Sequence, residues 1–306
     1  MRKKDFVSVS DWTTEELTAV LAQAAAIKAD PAKYGRRLEG KALAMIFEKP
    51  SLRTRVSFDV GIHQLGGYSI GLTQSEISLG KREAVRDAAK TLERMVDGIM
   101  IRTFSHENVK VMAQEACIPV INGLTDFSHP CQAMADYMTI LELKGELGRL
   151  KIAYLGDGNN VAHSLIYGAA RLGAHLAVAS PQGFEPDPEV VGWARSNGSA
   201  TGCRLEILND PVEAAKGADV LYTDVWASMG LESEAESRQR PFSPYQVNDL
   251  LVRHAKPDYI FMHCLPAHRG EEVTGSVLDS SHSVVFQQAE NRLHAQKAIL
   301  LAVMRP

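Results

Sequence analysis

Cysteine is scarce in this chain of 306 residues: Cys117, Cys131, Cys203 and Cys264 are widely spread and form no C-x-x-C pair. That argues against a disulfide framework or a zinc knuckle and fits a reducing cytoplasm. There is no excess of basic charge either. The net charge of −4 leaves no footprint for nucleic acid or an anionic membrane, so neither is expected as a partner. No apolar run approaches the length that spans a bilayer. The basic start Met1-Arg2-Lys3-Lys4 does not read as a secretion signal, because Asp5, Ser8 and Asp11 interrupt the apolar stretch such a signal needs. Internal repeats and low-complexity segments are also lacking. What remains has the hydrophobic and charged content of an ordinary globular protein, long enough to divide into two domains.

Short apolar runs alternate with longer stretches of helical period, the pattern of an α/β protein with parallel sheets. A first helix starts near Thr13, with Glu16 completing a capping box and Leu17, Val20, Leu21, Ala24 and Ile27 on one face. Strands are predicted at Ala42–Phe47, Tyr68–Leu72, Gly98–Ile101 and Pro119–Ile121. A second series is predicted at Lys151–Leu155, Leu176–Ala179, Leu205–Leu208, Val220–Thr223, Tyr259–His263 and Val284–Phe286. The segment Gly145–Arg149 reads as a domain boundary, Glu232–Arg240 as a polar mobile loop, and Gln288–Met304 as a last helix returning to the first domain. The expected architecture is two doubly wound domains, 1–147 with 288–306 and 148–287, each a central parallel sheet flanked by helices. Arg53, Arg102, His129, Asp157, Asp224 and His263 fall at or just past predicted strand ends, the edge where open parallel sheets bind ligands. Two domains facing each other along that edge would enclose a cleft with the active site in it.

The run Phe47-Glu48-Lys49-Pro50-Ser51-Leu52-Arg53-Thr54-Arg55 reads as a buried strand turning into a helix start. Such a corner aims free N–H groups and the positive helix end at one point, and two guanidiniums add forks for phosphate or carboxylate oxygens. The bland alternative is a surface turn with Ser51 as a cap. Arg102 emerges from a buried strand, as a ligand or as half of a surface ion pair. His129-Pro130-Cys131-Gln132 places an imidazole and an amide at a helix start, where His129 could equally be the cap. Gly156-Asp157-Gly158-Asn159-Asn160 suggests a dinucleotide fingerprint, but Val161 stands where the third glycine belongs, so a nicotinamide dehydrogenase is a poor reading. Asp224, followed by Ser228-Met229-Gly230, could hold a cationic amine under a closing loop, or could cap a helix. His263, Cys264, His268 and Glu272 suggest a thiol nucleophile or a metal set, yet Pro266 breaks any helix that would align the histidines. Cys264 as a pocket wall is the modest reading.

Taken together, these segments resemble the transcarbamylases, and most closely their ornithine branch, over about Phe47 to Lys297. Ser51-Leu52-Arg53-Thr54-Arg55 is similar to the family's carbamoyl-phosphate signature, with Leu52 where threonine is usual. His129-Pro-x-Gln132 is similar to its carbamoyl-binding segment. Asp224-x-x-x-Ser228-Met229-Gly230 and His263-Cys264-Leu265-Pro266 are similar to the segments of the ornithine branch. The resemblance implies that Ser51, Leu52, Arg53, Thr54 and Arg102 take the phosphate. It implies that His129, Gln132 and Arg292 take the carbamoyl group, with Cys264 and Leu265 beside the reacting amine. Asn160, Asp224, Ser228 and Met229 would take ornithine, and Arg102, His129, Asp224 and Cys264 would carry the chemistry. The implied activity is carbamoyl transfer from carbamoyl phosphate to L-ornithine, without metal or organic cofactor. Implied too is a homotrimer, or a multiple of trimers, whose site borrows Ser78 and its neighbours Leu79-Gly80-Lys81-Arg82 from an adjacent subunit. That last segment looks closer to the aspartate branch. Putrescine, an acylated ornithine or aspartate as acceptor, and a non-catalytic metabolite-binding paralogue, are the competing expectations.

Overall fold

The computed structural model describes residues 3–228, 230 and 232–304. The chain forms two compact units, one running up to Met138 and resuming at Asn291, the other spanning Thr139–Glu290. In the first, α1 (Thr14–Ala29) is followed by β1 (Ala42–Phe47), α2 (Leu52–Gln64), β2 (Tyr68–Thr73), α3 (Gln74–Ile77) and α4 (Val85–Leu92). Then come β3 (Gly98–Arg102), α5 (His106–Glu115), β4 (Val120–Leu124) and α6 (Pro130–Lys144). In the second, β5 (Lys151–Leu155), α7 (Asn160–Leu172), β6 (His175–Ala179), α8 (Pro188–Gly198), β7 (Arg204–Leu208) and α9 (Pro211–Ala215) are followed by β8 (Val220–Thr223) and α10 (Ala235–Phe242). The unit continues through β9 (Ile260–His263) and α11 (Gly275–Leu278) into α12 (Val285–Val303), which carries the chain back to the first unit.

Both sheets are parallel throughout, in the orders β2-β1-β3-β4 and β7-β6-β5-β8-β9. All six residues of β1 are buried, as expected of a central parallel strand covered on both faces. The N-terminal segment extends the first sheet: Phe6 N–H donates to the Val120 carbonyl at 2.8 Å, and Asn122 N–H donates to the Phe6 carbonyl at 2.8 Å. Thr13 caps α1 in a capping box with Glu16, and the helix buries Leu17, Val20, Leu21, Ala24 and Ile27. In each sheet the strand order reverses once, between β1 and β3 and between β5 and β8. The carboxyl ends at such a point open a crevice where doubly wound sheets bind ligands.

Two local expectations fail. Val284–Phe286 is not a strand. The chain makes one bridge there, with Phe261 N–H donating to the His282 carbonyl at 2.8 Å and Val284 N–H to the Phe261 carbonyl at 3.0 Å, and then coils into α12. The β-branched pair reads as a strand locally, but the helical bonds that begin with Gln288 N–H to the Val284 carbonyl override that propensity. Glu232–Arg240 is not a loop but a short 3-10 turn leading into α10. Arg238 anchors it, bonding Glu234 one turn back and Asp157 just past the end of β5. Among the described residues, no helix is long and apolar enough to cross a membrane.

His106, at the start of α5, is half-buried with Nδ1 3.0 Å from Thr125 Oγ1. Burial first, and Lys110 second, push its pKa down to about 4. The folded value lies below the unfolded one of about 6.5, so the unfolded chain takes up the proton first. Stability is therefore lost as pH falls from about 6.5 towards 4. Relative to His106→Gln, the wild type should lose on the order of 1 kcal/mol between about pH 7 and pH 5, a figure reduced for the solvent that reaches the ring. Urea denaturation at the two pH values checks this, and equal losses in both proteins would contradict it.

Candidate active site

The first cluster gathers behind the carboxyl ends of β1, β3 and β4. Ser51 caps α2, its hydroxyl accepting Thr54 N–H at 3.1 Å. The cap turns Thr54 inward, where it is fully buried. Its Oγ1 accepts Arg292 Nη2 at 2.8 Å and faces Arg102 Nη1 at 3.4 Å. Arg102 is the last residue of β3, paired with Phe47 of β1. Arg292 Nη1 also donates to Gln132 Oε1 and lies 3.5 Å from His129 Nε2. Gln132 Nε2 donates to Asp136 at 2.8 Å, so its amide is oriented at both ends.

His129 is buried, and its pKa is held well below the ordinary histidine range by burial first, then by Arg292, Arg102 and Arg53. The cluster is thus a neutral imidazole surrounded by guanidiniums, a place built for an anion. Arg53 is half-buried on α2, whereas the Leu52 side chain is 73% exposed, so Leu52 can serve the corner only through its backbone. Ser78 sits at φ 42°, and the next N–H, of Leu79, donates to Glu48 Oε1 at 2.9 Å; the other Glu48 oxygen accepts the Thr103 hydroxyl. Lys49 is buried beside Asp126 and over the Phe104 ring at 4.4 Å.

The second cluster follows β5, β8 and β9. Gly156 adopts φ 136°, and a Cβ on Gly158 would stand 2.2 Å from the Pro186 nitrogen, so both glycines are required by the backbone path. Asn159 caps α7 with Oδ1, which accepts Val161 N–H at 2.9 Å and Ala162 N–H at 3.2 Å. Its Nδ2 donates to Asp224 Oδ2 at 2.8 Å and lies 3.5 Å from Ser228 Oγ. The other Asp224 oxygen accepts the Cys264 thiol at 3.0 Å. Asn160 opens α7 and is buried. Tyr154 is fully buried, and burial followed by the charges of Asp224, Asp157 and Cys264 pushes its phenol pKa up, keeping it protonated. Its hydroxyl donates to the Asp157 carbonyl at 2.9 Å. Burial pushes Asp157 up to about 6, against the opposing pull of Arg238, whose Nη1 donates to it at 3.0 Å.

Among the described residues, two groups of donor atoms lie close enough to share a cation, within 4.8 Å of one another: Asp224, His263 and Cys264, and His268, Glu271 and Glu272. In the first group every donor already has a partner within the chain.

The structure therefore brings Thr54, Arg102, His129, Gln132 and Arg292 into one cluster, and Asp224, Ser228 and Cys264 into another. Met229 lies outside the described residues. Sequence reasoning favoured Asn160 and overlooked what Asn159 does, although an asparagine just before a helical run is an N-cap signal. Glu48 and Arg238 were also missed, and Glu272 was read only as a possible metal ligand. Their partners lie in other elements, and no local pattern announces them.

These features define a class: an α/β protein of two parallel-sheet units, each holding polar groups at its sheet's switch point, one set shaped for an anion. The comparisons with known proteins make the family specific. Residues 4–142 match the carbamoyl-P binding domain, and residues 149–303 the Asp/Orn binding domain, of aspartate/ornithine carbamoyltransferase. The chain is 59% identical over 303 residues to an ornithine carbamoyltransferase of Thermococcus kodakarensis, covering 98% of this chain and 96% of the relative. It is 56% identical to the anabolic ornithine carbamoyltransferase of Pyrococcus furiosus, with the same coverage. The solved structure of the ornithine carbamoyltransferase from Pyrococcus furiosus superposes with a TM-score of 0.96 at 56% identity, covering 99% of this chain and 97% of that one. The chain belongs to the aspartate/ornithine carbamoyltransferase family.

Proposed function

We infer that this protein transfers the carbamoyl group of carbamoyl phosphate to the δ-amine of L-ornithine, giving L-citrulline and phosphate. One observation carries the reading: a neutral, buried His129 ringed by Arg53, Arg102 and Arg292 in one unit, with the Asp224–Cys264 pair in the other. The phosphate would sit on the α2 N-terminus with Ser51, Leu52 N–H, Arg53, Thr54 and Arg102. The carbamoyl oxygen would face His129, Arg102 and Arg292. Asp224, Asn160, Ser228 and Met229 would hold ornithine, with Cys264 and Leu265 beside its δ-amine.

The neutral amine forms the new C–N bond, an oxyanion develops on the carbamoyl oxygen, and the C–O bond to phosphate breaks. Positive charge already fixed around His129 needs no reorganisation as that oxyanion grows. Holding both substrates together removes the entropy cost of a bimolecular encounter. The amine's proton passes to the departing phosphate. This chemistry asks for no metal or organic cofactor.

Donor binding is assigned to residues 1–147 with the returning helix 288–306, and acceptor binding to 148–287. A homotrimer is part of the reading. Leu52, Val56 and Val60 leave an apolar stripe exposed on α2, continued by Tyr68 and Ile70 on the edge strand β2, and a water-facing patch of that kind marks an interface. The cysteine usage fits a cytoplasmic enzyme.

Phosphate release from carbamoyl phosphate with ornithine, putrescine, N-acetylornithine and aspartate in parallel tests the activity, with citrulline identified as the product of the ornithine reaction. Ornithine should be turned over with a kcat/KM at least about a hundredfold above the others, roughly 2.7 kcal/mol of discrimination. No citrulline from ornithine would overturn the reading.

A further inference from the structure

We propose that Asp136 is a positioning residue that sets donor selectivity: it fixes which end of the Gln132 amide faces the substrate, and so lets the site tell a carbamoyl group from an acyl group of the same shape. This rests on the reading above, with Gln132 against the carbamoyl group. Gln132 and Asp136 stand one turn apart on α6, and both are buried, Asp136 fully. Gln132 Nε2 donates to Asp136 Oδ1 at 2.8 Å, and Gln132 Oε1 accepts Arg292 Nη1. An ionised carboxylate can only accept and a guanidinium can only donate, so one orientation of the amide satisfies both. Turned over, its nitrogen would face the guanidinium and its oxygen the carboxylate.

The orientation decides what the amide can recognise. An amide oxygen has two lone pairs; Arg292 takes one, which leaves the second for a substrate N–H. A carbamoyl group carries an NH2 where an acetyl group carries a methyl of nearly the same size. Only the first can donate to Oε1, and a buried acceptor deprived of its donor rejects the analogue that lacks it. With the amide reversed, Nε2 would meet the carbamoyl NH2 donor to donor, and the preference would vanish. Arg292 holds only the oxygen end. Without Asp136 the amide nitrogen would have lost its acceptor in a dry interior, a cost large enough to turn or displace the side chain. The chain of cause runs from the Asp136 carboxylate to the Gln132 nitrogen, and through the amide to the oxygen that meets the donor.

The test uses the full-length protein, with initial rates of citrulline formation and acetyl phosphate as a competitor of carbamoyl phosphate. In the wild type the apparent affinity for carbamoyl phosphate should exceed that for acetyl phosphate by at least about thirtyfold. Asp136→Leu should raise KM for carbamoyl phosphate by at least about tenfold, while the Ki of acetyl phosphate, which has no N–H to lose, stays within about twofold. A residue that merely holds the helix in place would weaken both alike. Asp136→Asn keeps an oxygen for the Nε2–H and should stay within about fivefold of wild type for both compounds. In Gln132→Met the amide is gone, so adding Asp136→Leu should change KM by no more than about twofold. Replacing both partners by apolar groups also spares the fold, so this pair decides should the leucine variant alone not fold. Equal losses for the two compounds, an asparagine variant as impaired as the leucine one, or a further loss in the double variant would each overturn the proposal. A wild type that makes no citrulline would strike the functional reading instead, whereas turnover with an unmoved preference would strike this inference alone.

Discussion

Replacing Arg102 by methionine should lower kcat/KM for carbamoyl phosphate by roughly a thousandfold, the scale seen when a preorganised donor to a developing oxyanion is removed. Arg102 is buried at the end of β3 and acts on the same buried imidazole as Arg292 and Arg53. In the free protein those charges repel one another. Methionine fills much the same volume without charge, so the melting temperature of the unliganded variant should equal or exceed that of the wild type. The two proteins should separate again when inorganic phosphate is added. The wild type is stabilised by an anion that binds the folded state alone, by about 2.7 kcal/mol at a hundredfold excess over Kd, and the variant much less. Initial-rate kinetics and thermal melts with and without phosphate measure all three quantities. A variant within tenfold of wild-type activity, or one that melts well below it without ligand, would show that Arg102 is structural.

The second large effect is on the acceptor. Asp224→Ala should reduce kcat/KM for ornithine by roughly a thousandfold, within the 2–5 kcal/mol cost of stripping one partner from a buried charge pair. KM for carbamoyl phosphate should hold within about twofold. Asp224 is buried, with one oxygen on the Cys264 thiol and the other on Asn159 Nδ2. The substitution therefore strands two donors, and a stability loss of about 1–3 kcal/mol should accompany the kinetic change. Asp224→Asn separates the two effects, because it keeps the volume and one acceptor oxygen while removing the charge. Loss of carbamoyl-phosphate affinity equal to the loss for ornithine would place Asp224 in the wrong half of the reaction.

Much of the fold was legible because parallel-sheet strands are buried on both faces and read as apolar runs. Ala42–Phe47, Lys151–Leu155 and Val220–Thr223 have the same limits in the sequence reading and in the structure. The first helix was legible from its cap and its apolar face. The failures share a cause. Val284–Phe286 and Glu232–Arg240 were judged by local composition, while their conformations are set by a bridge to β9 and by the clasp of Arg238. The candidate site divides in the same way. The phosphate corner is a local motif, visible because Ser51, Arg53 and Thr54 are neighbours in sequence. Arg292 is joined to Thr54 across 238 positions, and no periodicity announces such a pair; only the family resemblance pointed to it. Glu272 stood in the sequence only as a possible metal ligand, and its burial beside His263 has no local signal, since a carboxylate in a loop reads like any surface acid.

The amide of Asn159 starts α7 with one atom and steadies Asp224 with the other. This sets which mutational routes are open when acceptor preference drifts. Aspartate at that position would still cap the helix but would set a second carboxylate against Asp224. Serine would cap but not reach it, and alanine would lose both bonds. Each of these changes disturbs the hold on Asp224 even where the cap survives, so selection for a new amine at this position would lose the acceptor carboxylate's setting before any gain in specificity appeared. Ser228 carries no such double duty, because it leaves the helix cap untouched. Change of substrate in this lineage has its open road there, while position 159 stays closed to it.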